Sequence, residues 1–152
     1  MKEKSLTLPG SATEDEFHIS VAQLLDVCLA PPTFYTTFPA GYGRLSKATS
    51  GRLRAKGMKA GMPDILIFDA HRVIGLELKI GGNSLSSAQR GTHAKLQAVG
   101  VKVYIVRALN EVIAALRAAN IRYRNVTIPK DKTNVEIAPN QGDFTCQEGQ
   151  LL

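Results

Sequence analysis

The sequence is poor in cysteine and has neither a long apolar run nor an apolar leader. Its 152 residues include two cysteines, Cys28 and Cys146, with no Cys-x-x-Cys motif, which excludes a disulfide framework and a cysteine-rich zinc module. The longest apolar run near the middle covers residues 65–68, whereas a spanning helix needs roughly 20 residues. The first ten residues lack the apolar region of a signal peptide. We therefore expect a soluble, cytoplasmic protein with no membrane partner.

Positive charge exceeds negative charge and is unevenly placed. The chain has 19 lysines and arginines against 13 acids, a net charge of +6. The stretch 44–59 contains no acid and carries these six bases: Arg44, Lys47, Arg52, Arg54, Lys56 and Lys59. Such a stretch attracts polyanions, most commonly the nucleic-acid backbone. It is equally well interpreted as a solvated, flexible loop, and composition alone does not decide between the two.

Hydrophobic periodicity and turn signals predict an α/β fold. Thr13 and Glu16 form a helix-start signature, and an apolar stripe with a helical period follows it. Beyond that helix we predict a strand (33–39), a basic loop (40–63), a hairpin (64–80), a helix (86–99), a strand (101–106) and a last helix (111–119). This order predicts a mixed central sheet flanked by helices.

Two carboxylates are predicted to meet at the open end of the hairpin. A symmetric turn at residues 70–71 places Asp64 opposite Glu77, with their Cβ atoms ~4.5–5.5 Å apart on the same face. Like charges so placed repel each other, and the simplest compensation is a divalent cation, with oxygen ligands favouring Mg²⁺ or Mn²⁺. Lys79 follows on the same face by period-2 alternation. The alternative is an ion network of Lys79 with either acid.

Three motifs in fixed order resemble a known nuclease core. Gly61-Met62-Pro63-Asp64, then Glu77-Leu78-Lys79, then Leu85-Ser86-x-x-Gln89 resembles the PD-(D/E)xK superfamily and, within it, the small stand-alone VRR-NUC domain of phages and bacteria. The resemblance implies the restriction-endonuclease-like fold with an α-β-β-β-α-β core. It also implies Mg²⁺- or Mn²⁺-dependent hydrolysis of DNA phosphodiester bonds, with junction or branched DNA among the candidate substrates.

The resemblance assigns roles to particular residues. It implies a catalytic set of Asp64, Glu77, Lys79 and Gln89 and a metal-binding set of Glu14, Asp64 and Glu77. Glu14 is preferred to Glu16 as the acid of the first helix because Glu14 shares the inward face, whereas Glu16 completes the cap at Thr13. Glu14 is otherwise explained as an acid favoured by the helix dipole, and Gln89 as the capping-box partner of Ser86. The three histidines are not interpreted as metal ligands.

The likeness covers most of the chain and bounds the expected domain. We expect a flexible N-terminus over 1–12, a VRR-NUC-like nuclease domain over 13–124, and a polar, partly disordered tail over 125–152. The resemblance allows a homodimer, and a phage origin would place the protein in the bacterial host cytoplasm. The competing functional hypothesis is a non-catalytic nucleic-acid-binding module that uses the basic 44–59 loop.

Overall fold

A computed structural model describes residues 6–7, 13–38, 46–126 and 134–135 and has an α/β architecture. Strands β2 (Phe34–Thr37), β3 (Ile65–Asp69) and β4 (Arg72–Leu78) are antiparallel, and β5 (Lys102–Val106) joins β4 in parallel, so the four-stranded sheet is mixed, in the order β2-β3-β4-β5. This confirms the predicted fold class. Along the chain the described elements are β1 (Leu6–Thr7), α1 (Glu14–Cys28), β2 (Phe34–Thr37), α2 (Lys47–Ala55), β3 (Ile65–Asp69), β4 (Arg72–Leu78), α3 (Ser87–Ala98), β5 (Lys102–Val106), α4 (Leu109–Ala118) and β6 (Asn134–Val135).

Helix α1 begins at the predicted capping box and supplies one wall of the core. The Thr13 hydroxyl accepts a hydrogen bond from the Glu16 amide at 3.3 Å, and the Glu16 carboxylate accepts one from the Thr13 amide at 2.7 Å. The buried face of α1 packs against β4 and α4. At its end Cys28 is fully buried, and this burial raises the pKa of its thiol to about 12.

The β3–β4 hairpin has the predicted register. Ile65 pairs with Leu76, Ile67 with Ile74, and Asp69 with Arg72. Because side chains alternate between the two faces of a strand, the isoleucines and Leu76 all point into the core beneath α1 and α4. Gly75, Glu77 and Lys79 consequently belong to the other face.

The prediction of a loop throughout 40–63 is wrong, because this stretch contains α2. The Ser46 side chain caps the helix by accepting a hydrogen bond from the Thr49 amide at 3.1 Å. The helix lacks a broad apolar stripe, and this is why hydrophobic periodicity did not reveal it. The start of α2 is therefore marked in the sequence by the capping residue Ser46 and not by a hydrophobic pattern.

Parts of the predicted organisation lie outside the described residues. Of the N-terminal stretch 1–12 the structure describes Leu6–Thr7, which pairs antiparallel with Asn134–Val135 from the C-terminal stretch 125–152. The boundaries of the predicted domain and the disorder of its tail stay predictions. No helix among the described residues is both long and apolar enough to cross a membrane.

Candidate active site

The open end of the hairpin brings Asp64 and Glu77 together as its register requires. Asp64 lies one position beyond the Ile65–Leu76 pair, opposite Glu77. The Asp64 carbonyl accepts the Phe38 amide at 3.0 Å, and its carboxylate Oδ2 accepts the Leu78 amide at 2.8 Å. Asp64 is thus fixed through its backbone to β2 and through its side chain to β4.

Glu77 is a fully buried carboxylate with two donors on one oxygen. Its Oε1 contacts the Lys79 ammonium at 2.8 Å and accepts a hydrogen bond from the Gln89 amide. Burial raises the pKa of Glu77, the Lys79 ammonium opposes this, and the negative charges of Asp64 and Glu14 add to the rise. The Glu77–Lys79 ion pair is one of the alternatives that the sequence left open.

Gln89 contacts both the cap of α3 and the carboxylate of Glu77. Its Oε1 accepts a hydrogen bond from the Ser86 amide at 2.8 Å, which completes the capping box of α3. Its Nε2 donates to Glu77, so the two ends of a single amide link the helix start to the buried carboxylate. The cap therefore sets the position from which Gln89 reaches the site.

His93 is a neighbour of Glu77 that the sequence interpretation did not include. Its Nε2 lies 3.3 Å from Glu77 Oε2, one helical turn beyond Gln89. Burial, and after it the Lys79 charge, lower the pKa of His93, so a neutral imidazole faces the carboxylate. The spacing of four residues puts His93 on the same helical face as Gln89.

The Gly-x-Pro-Asp loop is held against α3 by close backbone contact. Gly61 has φ +76°, and a Cβ built on it would lie 2.3 Å from the Ala88 carbonyl oxygen. The Thr92 hydroxyl donates to the Ala60 carbonyl at 2.6 Å on the same side. This contact fixes the distance between the loop that carries Asp64 and the helix that carries Gln89.

A cleft of about 350 Å³ opens between α1 and the hairpin end. Glu14 and His18 line it from the helix, and Asp64 and Phe38 line it from the sheet. Glu14 is exposed, yet its charge is near enough to raise the pKa of Glu77. The structure thus brings Glu14 to the same end of the sheet as the carboxylate pair, whereas Glu16 serves the cap at Thr13.

Glu14, Asp64 and Glu77 offer the oxygen ligands that a hard cation prefers, but their carboxylates do not converge on one point. Among the described residues, no three histidine, cysteine or carboxylate side chains lie close enough together to hold a metal ion. The Asp64 carboxylate is turned to the Leu78 amide and the Glu77 carboxylate to Lys79. One oxygen, Glu77 Oε2, is buried and accepts no hydrogen bond, with His93 Nε2 as its polar neighbour at 3.3 Å. Carboxylate oxygens are the ligands that Mg²⁺ and Mn²⁺ prefer, so the three acids match these ions in chemistry but not in their present positions.

The basic stretch is partly described, and it is helical over Lys47–Ala55, with Lys56 as the C-cap and Lys59 in the segment that follows. Arg52, Arg54, Lys56 and Lys59 are exposed, whereas Arg44 lies outside the described residues and Lys47 is described only as the first residue of α2. Arg52 and Lys56 are four residues apart and share one side of the helix, while Arg54 projects to another side. These basic residues therefore do not belong to one flexible loop, and those on α2 face different directions.

Comparison with known proteins supports the architecture. Neither a protein-family model nor a curated protein matches this chain. A solved structure described as a VRR_NUC domain protein matches with a TM-score of 0.55 and 22% sequence identity, over 73% of this chain and 90% of that chain. This chain has a VRR-NUC-like fold. The VRR-NUC-like fold agrees with the restriction-endonuclease-like core expected from the three motifs.

The two acids of the first turn of α1 should be separable by mutation. Glu16→Ala is expected to lower the free energy of unfolding by about 0.5–1 kcal/mol, because it removes the capping partner of Thr13. On the expectation of a metal-dependent nuclease, Glu14→Ala should leave the melting temperature nearly unchanged and lower cleavage about tenfold or more, because it removes a cleft carboxylate. Thermal unfolding and a cleavage assay on both variants test this, and the reverse pattern would identify Glu16 as the functional acid.

The raised pKa of Glu77 predicts a pH-dependent effect on stability. Because the folded state disfavours the ionised form of Glu77, Glu77→Gln should gain stability relative to the wild type as the pH rises, an advantage set against the loss of the counter-ion of the Lys79 ammonium. The advantage should be smallest below the ordinary pKa of 4.5 and should grow as the pH rises through the raised folded-state pKa. Urea unfolding of both proteins across this range measures it. An advantage that grows towards acid would contradict the burial argument.

Proposed function

We propose that the protein is a metal-dependent nuclease that hydrolyses DNA phosphodiester bonds. The observation that carries the proposal is the convergence of Asp64, Glu77, Lys79 and Gln89 at one end of the sheet, with Glu14 across an open cleft. Acids paired with a lysine in this way are suited to phosphate chemistry, because the acids can hold a cation and the ammonium can meet developing negative charge. The VRR-NUC-like fold supports the same proposal.

Each residue would have a distinct role. Glu14, Asp64 and Glu77 would hold Mg²⁺ or Mn²⁺, which when bound polarises a phosphate and acidifies water. Lys79 would orient the attacking water and offset the charge of the transition state, and the contact of its ammonium with Glu77 supports this role. Gln89 would hold the Glu77 carboxylate at a fixed angle from the start of α3.

The proposal is tested by measuring cleavage of DNA substrates of different shapes in the presence and absence of divalent metal. Labelled junction, flap, nicked, duplex and single-stranded DNA would each be incubated with Mg²⁺, Mn²⁺ or EDTA. Cleavage that requires metal supports the nuclease, and the preferred shape identifies whether branched DNA is the substrate. Binding without cleavage under all conditions would instead support the non-catalytic binding module. Gel filtration of the same protein, with and without DNA, tests the proposed homodimer.

The basic side of α2 should contribute non-specific phosphate contacts. Arg52→Ala combined with Lys56→Ala is expected to weaken DNA binding and to reduce the slope of log affinity against log salt by about 0.9 for each lost contact. Titrations at several salt concentrations measure this. Arg54→Ala is the matched control, because Arg54 projects to another side and should change the slope less. A double variant with the wild-type slope would make this helix a solvated surface.

A further inference from the structure

We propose that the β4–α3 loop (residues 80–86) carries a binding site for the phosphate backbone of the nucleic acid, formed by the guanidinium groups of Arg107 and Arg90. The proposal rests on the proposed nuclease function for its ligand. It adds a second basic surface to that of α2, at the end of the sheet where the candidate catalytic residues lie.

The loop belongs to a part of the chain that contains bases but no acids. Residues 78–110 include no aspartate or glutamate and these five bases: Lys79, Arg90, Lys95, Lys102 and Arg107. Arg90 and Arg107 are exposed, and neither forms an ion pair within the part of the chain that the structure describes. The next acid, Glu111, accepts the main-chain amide of Arg107 at 2.7 Å and is not paired with its guanidinium. The charge of both arginines is therefore available to an anion.

Both guanidinium groups are held on the loop by neutral partners. Arg107 Nη1 and Nη2 donate to the carbonyl oxygens of Gly81 and Asn83 at 2.7 and 2.8 Å. Arg90 Nη1 donates to the carbonyl oxygen of Leu85. A guanidinium has five N–H donors, and a carbonyl oxygen carries no net charge. These contacts therefore orient both groups without neutralising them and leave further donors for a ligand.

The loop joins two side chains of the candidate active site. It begins after Lys79 and ends at the cap that positions Gln89, and both of these side chains contact Glu77. Because β4 and β5 are parallel, Arg107 follows β5 at the same edge of the sheet. A chain advances at most ~3.3–3.6 Å per residue, so the Gly81 Cα lies within about 7 Å of the Lys79 Cα. A nucleic-acid backbone on this loop would therefore continue into the candidate active site.

The surface of the loop is open to a ligand. Residues 81–84 are exposed, and a Cβ built on Gly81 or on Gly82 would meet nothing within 4 Å. Two adjacent glycines without neighbours allow a phosphate to approach the main chain closely. Phosphate oxygens are good acceptors for the planar fork of an arginine. Oriented guanidinium groups beside an open main chain therefore fit a phosphodiester.

The first test changes the charge of Arg107. Arg107→Lys keeps the charge and loses the forked contact with the loop, whereas Arg107→Gln keeps an amide donor and loses the charge. For each protein we would measure the melting temperature and the affinity for a short fluorescein-labelled duplex in EDTA at several salt concentrations. Arg107→Gln should reduce the slope of log affinity against log salt by about 0.9, and adding Arg90→Gln should reduce it by about 0.9 again. Arg107→Lys should reduce it by less than half as much as Arg107→Gln.

The second test adds a negative charge to the loop and leaves both arginines in place. Gly82 accepts a side chain, since its φ is not positive and its Cβ position is free. Gly82→Asp should bind the duplex about tenfold or more weakly than Gly82→Asn, because the two variants differ in charge and hardly in size. Ala70→Asp is the control and should bind as the wild type does, because Ala70 is exposed in the turn at the opposite end of the hairpin.

A purely structural role of Arg107 predicts a different pattern. If Arg107 only held the loop, Arg107→Lys and Arg107→Gln would lose affinity equally and keep the wild-type salt slope. Gly82→Asp would then bind as tightly as Gly82→Asn. Either result would overturn the proposal. If Arg107→Gln failed to fold, the comparison of the two Gly82 variants would still decide.

The same measurements separate this proposal from the nuclease function, because binding is measured in EDTA and cleavage with metal. If the wild type cleaves and the two Gly82 variants bind equally well, the loop site fails and the nuclease remains. If the wild type binds DNA without cleaving it and Gly82→Asp alone weakens that binding, the loop site stands and the nuclease fails. If the wild type neither binds nor cleaves, both fail.

Discussion

Asp64→Asn is expected to abolish cleavage, a loss of about 1,000-fold or more, while leaving the fold intact. Asparagine lacks the negative charge that a divalent cation requires, but its side-chain oxygen can still accept the Leu78 amide, which Asp64 Oδ2 accepts at 2.8 Å. The fold should therefore keep its hydrogen bond while the candidate metal site loses a ligand. Nicking of supercoiled plasmid in Mg²⁺, with thermal unfolding of the same sample, measures the two effects separately.

Two related variants sharpen this result. Asp64→Ala should lose cleavage and also destabilise the fold by about 1–3 kcal/mol, because it leaves the Leu78 amide without its acceptor. Asp15→Asn, a change of the same chemical kind at the rim of the cleft, should cleave nearly as fast as the wild type. Wild-type cleavage by Asp64→Asn would show that Asp64 is not a metal ligand, whatever the stability of the variants.

Gly61→Ala is expected to have the largest effect on stability of any single-methyl change at the site. The added Cβ would lie 2.3 Å from the Ala88 carbonyl oxygen and 2.6 Å from the Gln89 amide nitrogen, and the backbone at φ +76° disfavours a side chain. The obstacle is backbone, which cannot rotate away. We expect a loss of about 3 kcal/mol or more and a fall in melting temperature of roughly 10 °C, measured by thermal unfolding.

Gly91→Ala provides the matched control on α3. Its added Cβ would meet nothing within 4 Å, and its backbone is helical. We expect a gain of about 0.5–1 kcal/mol, since alanine is the better helix former. If Gly61→Ala were as stable as Gly91→Ala, the loop that carries Asp64 would not be seated on α3 as described.

The sequence predicted the local geometry of the site well because that geometry follows from short-range rules. A hairpin with a known turn has only one register, and this places Asp64 opposite Glu77 without knowledge of the rest of the fold. Capping boxes are equally local, and they correctly located the starts of α1 and α3. The two interpretations of Gln89 could not be separated from sequence, since an amide has an acceptor and a donor and the structure uses both.

The parts that sequence did not predict depend on distant packing or lack a periodic signal. Helix α2 has too few apolar residues to show a stripe, so its basic residues suggested a loop. The close backbone contact between Gly61 and Ala88 joins positions 27 residues apart, and no local sequence signal near either residue predicts it. The contact between His93 and Glu77 depends on which atoms surround them, and this is a property of the assembled fold.

The fully buried thiol of Cys28 makes the opening of the core a chemically measurable event. Alkylating reagents attack thiolates, and a thiol at the end of α1 with a pKa near 12 offers very little thiolate while the helix is docked. In a Cys146→Ser background, the rate at which Cys28 is alkylated would therefore report how often α1 separates from the sheet. Comparing that rate with and without bound DNA would show whether occupation of the cleft slows this separation, through a reporter that touches neither the acids nor the nucleic acid.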